Sequence, residues 1–329
     1  MQTRRIGRTD LEVTTLSFGA AGIGNLYRPV SRDDAEATLA VAWDAGIRYF
    51  DTAPRYGHGL SEHRLGDFLR GQPRASYVIS TKVGRLLSPV PESEVPDYGF
   101  ADPLPFRADY DYSYDGVMRS VEFSLARLGT NRVEILYVHD IGVLTHGAEE
   151  NARHFRDLMD GGMKALDELK SSGAVKAIGL GVNETQVCLD VMARAPIDCI
   201  LLAGRYTLLD RSAQRELLQR CRETGTTLVI GGVFNSGILA TGAQPGAHFD
   251  YEPASDDVIR RVNGMEAVAK KYGVSLGAAA MAFPLASDTV STVLVGTAKP
   301  SSMQRNVDLF DAPIPEAAWA EFDALALRP

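Results

Sequence analysis

Short apolar, β-branched runs alternate along the chain with longer stretches in which apolar residues recur every three or four positions. The runs at 16–19, 48–51, 77–82, 133–139, 175–179, 199–202, 227–230 and 292–295 predict eight strands. Between them, 32–45, 61–70, 114–128, 162–171, 184–193, 211–223 and 256–272 carry the helical spacing. Ser31 followed by Asp34, and Gly173 after Ser172, supply a helix start and a helix stop. ILYV at 135–138 and TLVI at 227–230 are unbroken apolar runs, as strands covered on both faces by crossover helices should be.

Strand followed by helix, repeated without a linker or a break in composition, predicts an α/β fold: a (β/α)8 TIM barrel spanning 1–329 as one domain. The competing topology is a doubly wound open sheet. The opening segment 5–14, with Gly7-Arg8-Thr9-Asp10 at its turn, predicts a short hairpin that closes the barrel bottom. The long connections 83–113, 140–161 and 232–255 all follow strands, so a barrel gathers them on the C-terminal rim, where ligands bind.

Composition narrows the function. Of 329 residues, 45% are hydrophobic and 23% charged, which suits a globular core and excludes disordered and fibrous classes. A net charge of −8 gives no basic surface for phosphate backbones or anionic lipid, so the expected partner is a small-molecule substrate, with no nucleic acid and no membrane. Cys188, Cys199 and Cys221 are too few for a disulfide framework, and MQTRRIGRTD lacks the apolar core of a secretory signal; both favour a cytoplasmic location. The weakly polar run 274–286 is interrupted by Pro284 and falls short of the ~20 residues a spanning helix needs.

The candidate chemistry stands at strand ends. Asp51 closes YFD, Lys82 closes ISTK and His139 closes LYVH, while Tyr56 follows Asp51 within DTAPRYGHG. A barrel brings all four to one rim. A phenol is a poor base at neutral pH, but an adjacent ammonium favours the phenolate, and a carboxylate keeps that ammonium charged. Such a group moves a proton on or off an alcohol or carbonyl oxygen while hydride travels elsewhere, which implies a hydride carrier. Other motifs fail: Gly19-Ala20-Ala21-Gly22-Ile23-Gly24 lacks the G-x-G-x-x-G spacing, and Ser236 lacks a nucleophile elbow. His139, Asp140, His146 and His154 show no metal-ligand pairing, so no metal is expected, and His146 and His154 read as surface-loop residues.

At this point the chain resembles the aldo-keto reductase superfamily along nearly its whole length. The resemblance rests on LSFGAAGIGN, AGIRYFDTAPRYGHGLSEHRLGDFL, VISTKVGR, SLARLGTNRVEILYVHD, LKSSGAVKAIGLGVNE, RYTLLD and VGTAKPSSMQRN. It implies a barrel with a nicotinamide cofactor and a catalytic tetrad of Asp51, Tyr56, Lys82 and His139. It further implies Tyr206 stacked on the nicotinamide, and Asn183 at the carboxamide, beside Gly181-Val182 and Ala203 where many members carry Ser-Asn and Gln. Phe234, Asn235, Ser236 and Gly237 take the pyrophosphate position, and Gly296, Thr297, Lys299, Ser302, Arg305 and Asn306 the adenosine end. Gly296 and Ser302 stand where phosphate-preferring members carry Lys and Arg, so the resemblance favours NAD over NADP. The details AGIGNLYRP, DYDYSYDGVMRS and HDIGVLTHG resemble a bacterial branch of sugar and pyridoxal dehydrogenases. That branch implies oxidation of an aldose (L-fucose or D-threo-aldose type) at its anomeric carbon to a lactone, with pyridoxal 4-dehydrogenation or general aldehyde reduction as alternatives. Asn25, Tyr27, His58 and Arg85 are the expected substrate contacts. A cofactor-binding regulatory subunit is the rival from another class, and the intact tetrad weighs against it.

Overall fold

A computed structural model describes residues 1–327. Eight parallel strands close into a barrel, in order Leu16–Gly19, Tyr49–Asp51, Val78–Val83, Ile135–His139, Ala177–Val182, Cys199–Ala203, Thr227–Gly231 and Val290–Val295. The last strand pairs with the first through Val293 and Leu16, which removes any free edge and rules out the open sheet. Strand positions match the apolar runs, with ends displaced by up to three residues. The largest shift is in the fifth, which starts at Ala177 and continues through Gly181 and Val182.

Helix starts follow local chemistry. Ser31, Ser113 and Ser255 each accept a hydrogen bond from the backbone N–H three residues on, and Gly129 ends the helix Tyr114–Leu128 in the left-handed conformation. Among the described residues five α-helices escaped the periodicity: Val143–Asp157 within the connection after strand four, the short Ile238–Thr241, Leu276–Leu285, Pro300–Phe310 and Glu316–Leu325. Leu276–Leu285 is apolar on all sides, so it has no stripe for a period to reveal. The helix expected at 211–223 begins only at Glu216.

The opening hairpin pairs Thr3–Arg5 with Glu12–Thr14, two residues earlier than expected. Ile6, Leu11 and Val13 pack with the inward-facing Tyr49, Ile135, Tyr137, Cys199 and Val229, so the hairpin plugs the barrel bottom. At the opposite rim, the connection after strand three forms a second hairpin, Arg85–Pro89 against Phe106–Tyr110, rather than an irregular loop. Its tip is tied down where Tyr27 N–H donates to Gly99 O at 2.9 Å and Leu104 N–H to Gly57 O at 3.2 Å. The rim therefore has a built wall on this side.

Candidate active site

Barrel register brings the strand ends together. Asp51 pairs with Ser80 across strands two and three, Lys82 with Tyr137 across three and four, and His139 with Gly181 across four and five. Lys82 Nζ donates to Asp51 Oδ2 at 2.7 Å, to Thr52 O at 2.9 Å and to Tyr56 Oη at 3.1 Å. Ser80 Oγ donates to the other carboxylate oxygen of Asp51 at 2.7 Å. The His139 ring meets the Tyr56 ring edge-on at 6.1 Å. Gly181 makes room for this group: a Cβ there would lie 3.3 Å from Lys82 Cε and from Tyr137 Cβ.

Electrostatics sort these groups. Burial, then the charges of Arg85, Lys82 and Arg55, hold the His139 pKa well below its ordinary range, so the imidazole is neutral at neutral pH. Burial alone would lower the Lys82 pKa, but Asp51 and Tyr56 together raise it above the ordinary value, so the ammonium persists. Burial raises the Tyr56 phenol, with Asp51 and Asp140 adding to the rise. Lys82 pulls it down through its charge and hydrogen bond, without overcoming burial. The expectation of a phenol lowered by Lys82 thus describes one contribution and not the balance: in the resting site the phenol keeps its proton.

Tyr56, Lys82 and His139 open into a cavity of about 560 Å³. Its walls include Tyr27, Arg85, Gly181, Val182, Asn183, Leu201 and Ala203, with Arg55, Tyr98, Phe100, Tyr110, Asp140 and Tyr251 beside them. Of the expected substrate contacts, Tyr27 and Arg85 are in the wall; Asn25 and His58 are not. Asn25 is buried, donating to Ala101 O at 3.0 Å and accepting from Val30 N–H at 3.1 Å and from Arg64, so it braces the rim hairpin. His58 is buried behind Tyr98, ring to ring at 5.4 Å. Arg55 was missed because a polar residue inside a loop motif gives no sign of which way it faces. Tyr251 was missed because a distant connection carries it over the rim, where Asn183 Nδ2 donates to its hydroxyl at 3.3 Å.

His146 and His154 are not loop residues either. They lie on the helix Val143–Asp157 and meet Tyr110 and Tyr112 edge-on, His146 against Tyr110 at 4.4 Å and His154 against Tyr112 at 5.2 Å. Tyr112 Oη donates to His139 O at 2.8 Å and is 2.9 Å from His146 Nε2, which joins this cluster to the site's backbone.

The residues expected to hold a dinucleotide follow strand ends on the same rim. Asn235, Ser236 and Gly237 take three successive left-handed conformations (φ 44°, 57° and 95°), a tight turn in which Asn235 N–H donates to Gly232 O and Gly237 N–H to Phe234 O. A Cβ at Gly237 would meet nothing within 4 Å, so the turn faces open space. The Asn235 side chain accepts from Thr207 Oγ1 at 2.6 Å and donates to Gly204 O at 3.2 Å, pinning the loop to strand six. Phe234 turns inward, toward Gly277 of the helix Leu276–Leu285. Lys299 caps the helix Pro300–Phe310, and Lys299 and Arg305 are exposed; Thr297 and Ser302 are partly exposed, and Asn306 is buried. Tyr206, after strand six, is buried with its ring against Phe283 at 5.2 Å; like 234–237 and 296–306 it is not in the cavity wall, which Asn183 alone of the expected cofactor residues joins. The open turn at 235–237 and the exposed Lys299 and Arg305, on the rim that carries the cavity, fit a dinucleotide. Among the described residues no His, Cys, Asp and Glu group could hold a metal, and no helix is long and apolar enough to cross a membrane.

Comparison with known proteins agrees with this geometry. The Aldo/keto reductase family matches residues 15–327. A pyridoxal 4-dehydrogenase of Microbacterium luteolum is 47% identical, the match covering 97% of this chain and 95% of that protein. A D-threo-aldose 1-dehydrogenase of a Pseudomonas species is 40% identical, over 97% and 96%. The holo structure of an aldo-keto reductase from Bacillus halodurans superposes with a TM-score of 0.77 at 23% identity, over 99% of this chain and 97% of that one, a likeness of fold. The chain belongs to the aldo/keto reductase family and is an NAD(P)-dependent oxidoreductase.

Proposed function

We propose that the protein is an NAD-dependent dehydrogenase that oxidises the hemiacetal carbon of a small cyclic substrate to a lactone. The observation that carries this reading is the Lys82 ammonium, shared between Asp51 at 2.7 Å and the Tyr56 hydroxyl at 3.1 Å at the cavity wall. Tyr56 first gives its proton to solvent, the Lys82 ammonium stabilises the phenolate so formed, and that phenolate takes the proton of the hemiacetal hydroxyl to become phenol again; Asp51 keeps Lys82 charged and aimed. His139, neutral, positions the substrate oxygen without adding a charge that would compete for the proton. A nicotinamide held on this rim would supply the hydride acceptor. The open turn at Asn235, Ser236 and Gly237 would hold the pyrophosphate, Asn183 the carboxamide, and Thr297, Lys299, Arg305 and Asn306 the adenosine end. NAD is favoured because Gly296 and Ser302 offer no cation to a 2′-phosphate.

Pyridoxal and aldoses, the substrates named for the relatives at 47% and 40% identity, both close into hemiacetals. The rings of Tyr98, Phe100 and Tyr110 give the cavity an aromatic wall, which suits a flat ring. Pyridoxal therefore moves ahead of the aldose that the sequence favoured. The test is purified protein with NAD or NADP against pyridoxal and a panel of aldoses, following nicotinamide reduction and identifying the product by mass. Lactone formation with preference for NAD is the expected result; no turnover of any hemiacetal would refute the reading.

A further inference from the structure

The cavity holds one cation that the proton-transfer chemistry leaves unused. Arg55 lines the cavity beside Tyr56 and makes no hydrogen bond or ion pair with another described residue. Its guanidinium sits over the Tyr98 ring, 5.2 Å from the centroid. The other charges in the wall are committed. Lys82 is paired with Asp51, Arg85 with Asp140, and Glu184 accepts from Leu144 N–H at 3.1 Å. Arg85 is itself buried, with its Nε lacking a partner, and its like charge bears on Arg55 more strongly than Asp140 offsets. An unpaired guanidinium in a partly desolvated, aromatic-lined cavity is poised for an anion, and its fixed fork suits an oxyanion better than a neutral hydroxyl.

We propose that the substrate carries an anionic oxygen on an aromatic ring, next to the hemiacetal carbon, and that Arg55 binds it. This rests on the hemiacetal reading above. Arg55 directly precedes Tyr56, so the oxyanion site adjoins the proton acceptor, while Tyr98, Phe100 and Tyr110 cover the ring. Pyridoxal meets both conditions: its ring hydroxyl neighbours the carbon bearing the aldehyde, and the ring nitrogen makes that hydroxyl acidic. A neutral aldose supplies no anion, and a sugar acid supplies one without a flat ring.

The experiment compares kcat/KM for pyridoxal, its 3-O-methyl ether, a neutral aldose and a uronic acid, using the parent enzyme, Arg55→Met and Arg55→Lys. The parent should prefer pyridoxal over the ether by about ten- to hundredfold, the scale of one charge-assisted hydrogen bond. Arg55→Met should collapse that preference to within about threefold of unity through KM, and Arg55→Lys should restore part of it. A preference that survives Arg55→Met, or a parent that oxidises the ether as well as pyridoxal, overturns the proposal. Selection of the uronic acid over pyridoxal overturns it in favour of a carboxylate. If Arg55→Met does not fold, the parent ratio and Arg55→Lys decide alone. Turnover of aldoses without pyridoxal defeats the ring oxyanion and leaves the hemiacetal reading standing; turnover of nothing defeats both.

Discussion

The Lys82 ammonium and the Asp51 carboxylate meet at 2.7 Å with 2% and 4% of their side chains exposed. Breaking a buried pair leaves one charge without solvent or partner, typically at a cost of about 3–5 kcal/mol. Lys82→Met should therefore lower the unfolding midpoint and also alter chemistry. Oxidation needs the phenolate, so its rate rises with pH through the Tyr56 pKa. Burial already holds that pKa up and Lys82 is the group that lowers it. Without Lys82 the rise should move to higher pH, read from log kcat/KM against pH. A folded, active variant with an unmoved rise would show that Lys82 does not tune Tyr56.

Tyr56→Phe deletes one oxygen and keeps the ring packed near Phe100, 6.2 Å between centroids. Nucleotide affinity, measured by fluorescence titration, should stay close to the parent's. Turnover should fall by ~10²–10⁴, the usual range for a positioned proton acceptor. Activity within threefold of the parent would remove Tyr56 from the mechanism.

Gly181→Ala tests how tightly Lys82 is placed. The new Cβ would stand 3.3 Å from Lys82 Cε, and Tyr137 Cβ, equally close, blocks escape on the other side. The ammonium must yield, and displacement of a positioned group by fractions of an ångström costs on the order of tenfold in rate. We expect kcat to drop with little change in melting temperature, a split that separates misplacement from unfolding.

Acid should loosen the site through His146. Burial, then the charges of His154 and Arg85, push its pKa down to about 4 from the ordinary 6.5. His146 Nε2 lies 2.9 Å from Tyr112 Oη, which also donates to His139 O. The fold holds the neutral imidazole, whereas the unfolded chain binds a proton below pH 6.5. Stability from this group is complete above pH 6.5 and is lost as pH falls toward 4. Thermal midpoints between those pH values should decline in the parent and decline less in His146→Gln; equal slopes would place the acid sensitivity elsewhere.

Cofactor choice is testable at Ser302. A Cβ at Gly296 would sit 3.0 Å from Gly19 O, so a lysine there would strain the seam between the first and last strands. Ser302, partly exposed on the helix Pro300–Phe310, is the cleaner site. Ser302→Arg should raise kcat/KM for NADP relative to NAD by about tenfold, one charge-assisted contact. A parent that already prefers NADP would assign the 2′-phosphate to Lys299 or Arg305.

The sequence by itself determined the barrel, because apolar runs alternating with helical periods admit few packings, and it determined the gathering of Asp51, Tyr56, Lys82 and His139, because strand ends in a barrel share a rim. It also placed the connection 83–113 on the rim that carries the chemistry. Only the tertiary structure decided which way each side chain faces. Asn25 and His58 lie close in sequence to cavity residues yet point into packing, while Arg55 and Tyr251 enter the cavity from loops without periodicity. The helices Val143–Asp157 and Leu276–Leu285 stayed hidden for related reasons: a kink at Gly147 breaks the period of the first, and the second is apolar all round. The protonation state of Tyr56 was equally beyond the sequence, since charge partners can be read from spacing whereas desolvation depends on everything packed around them.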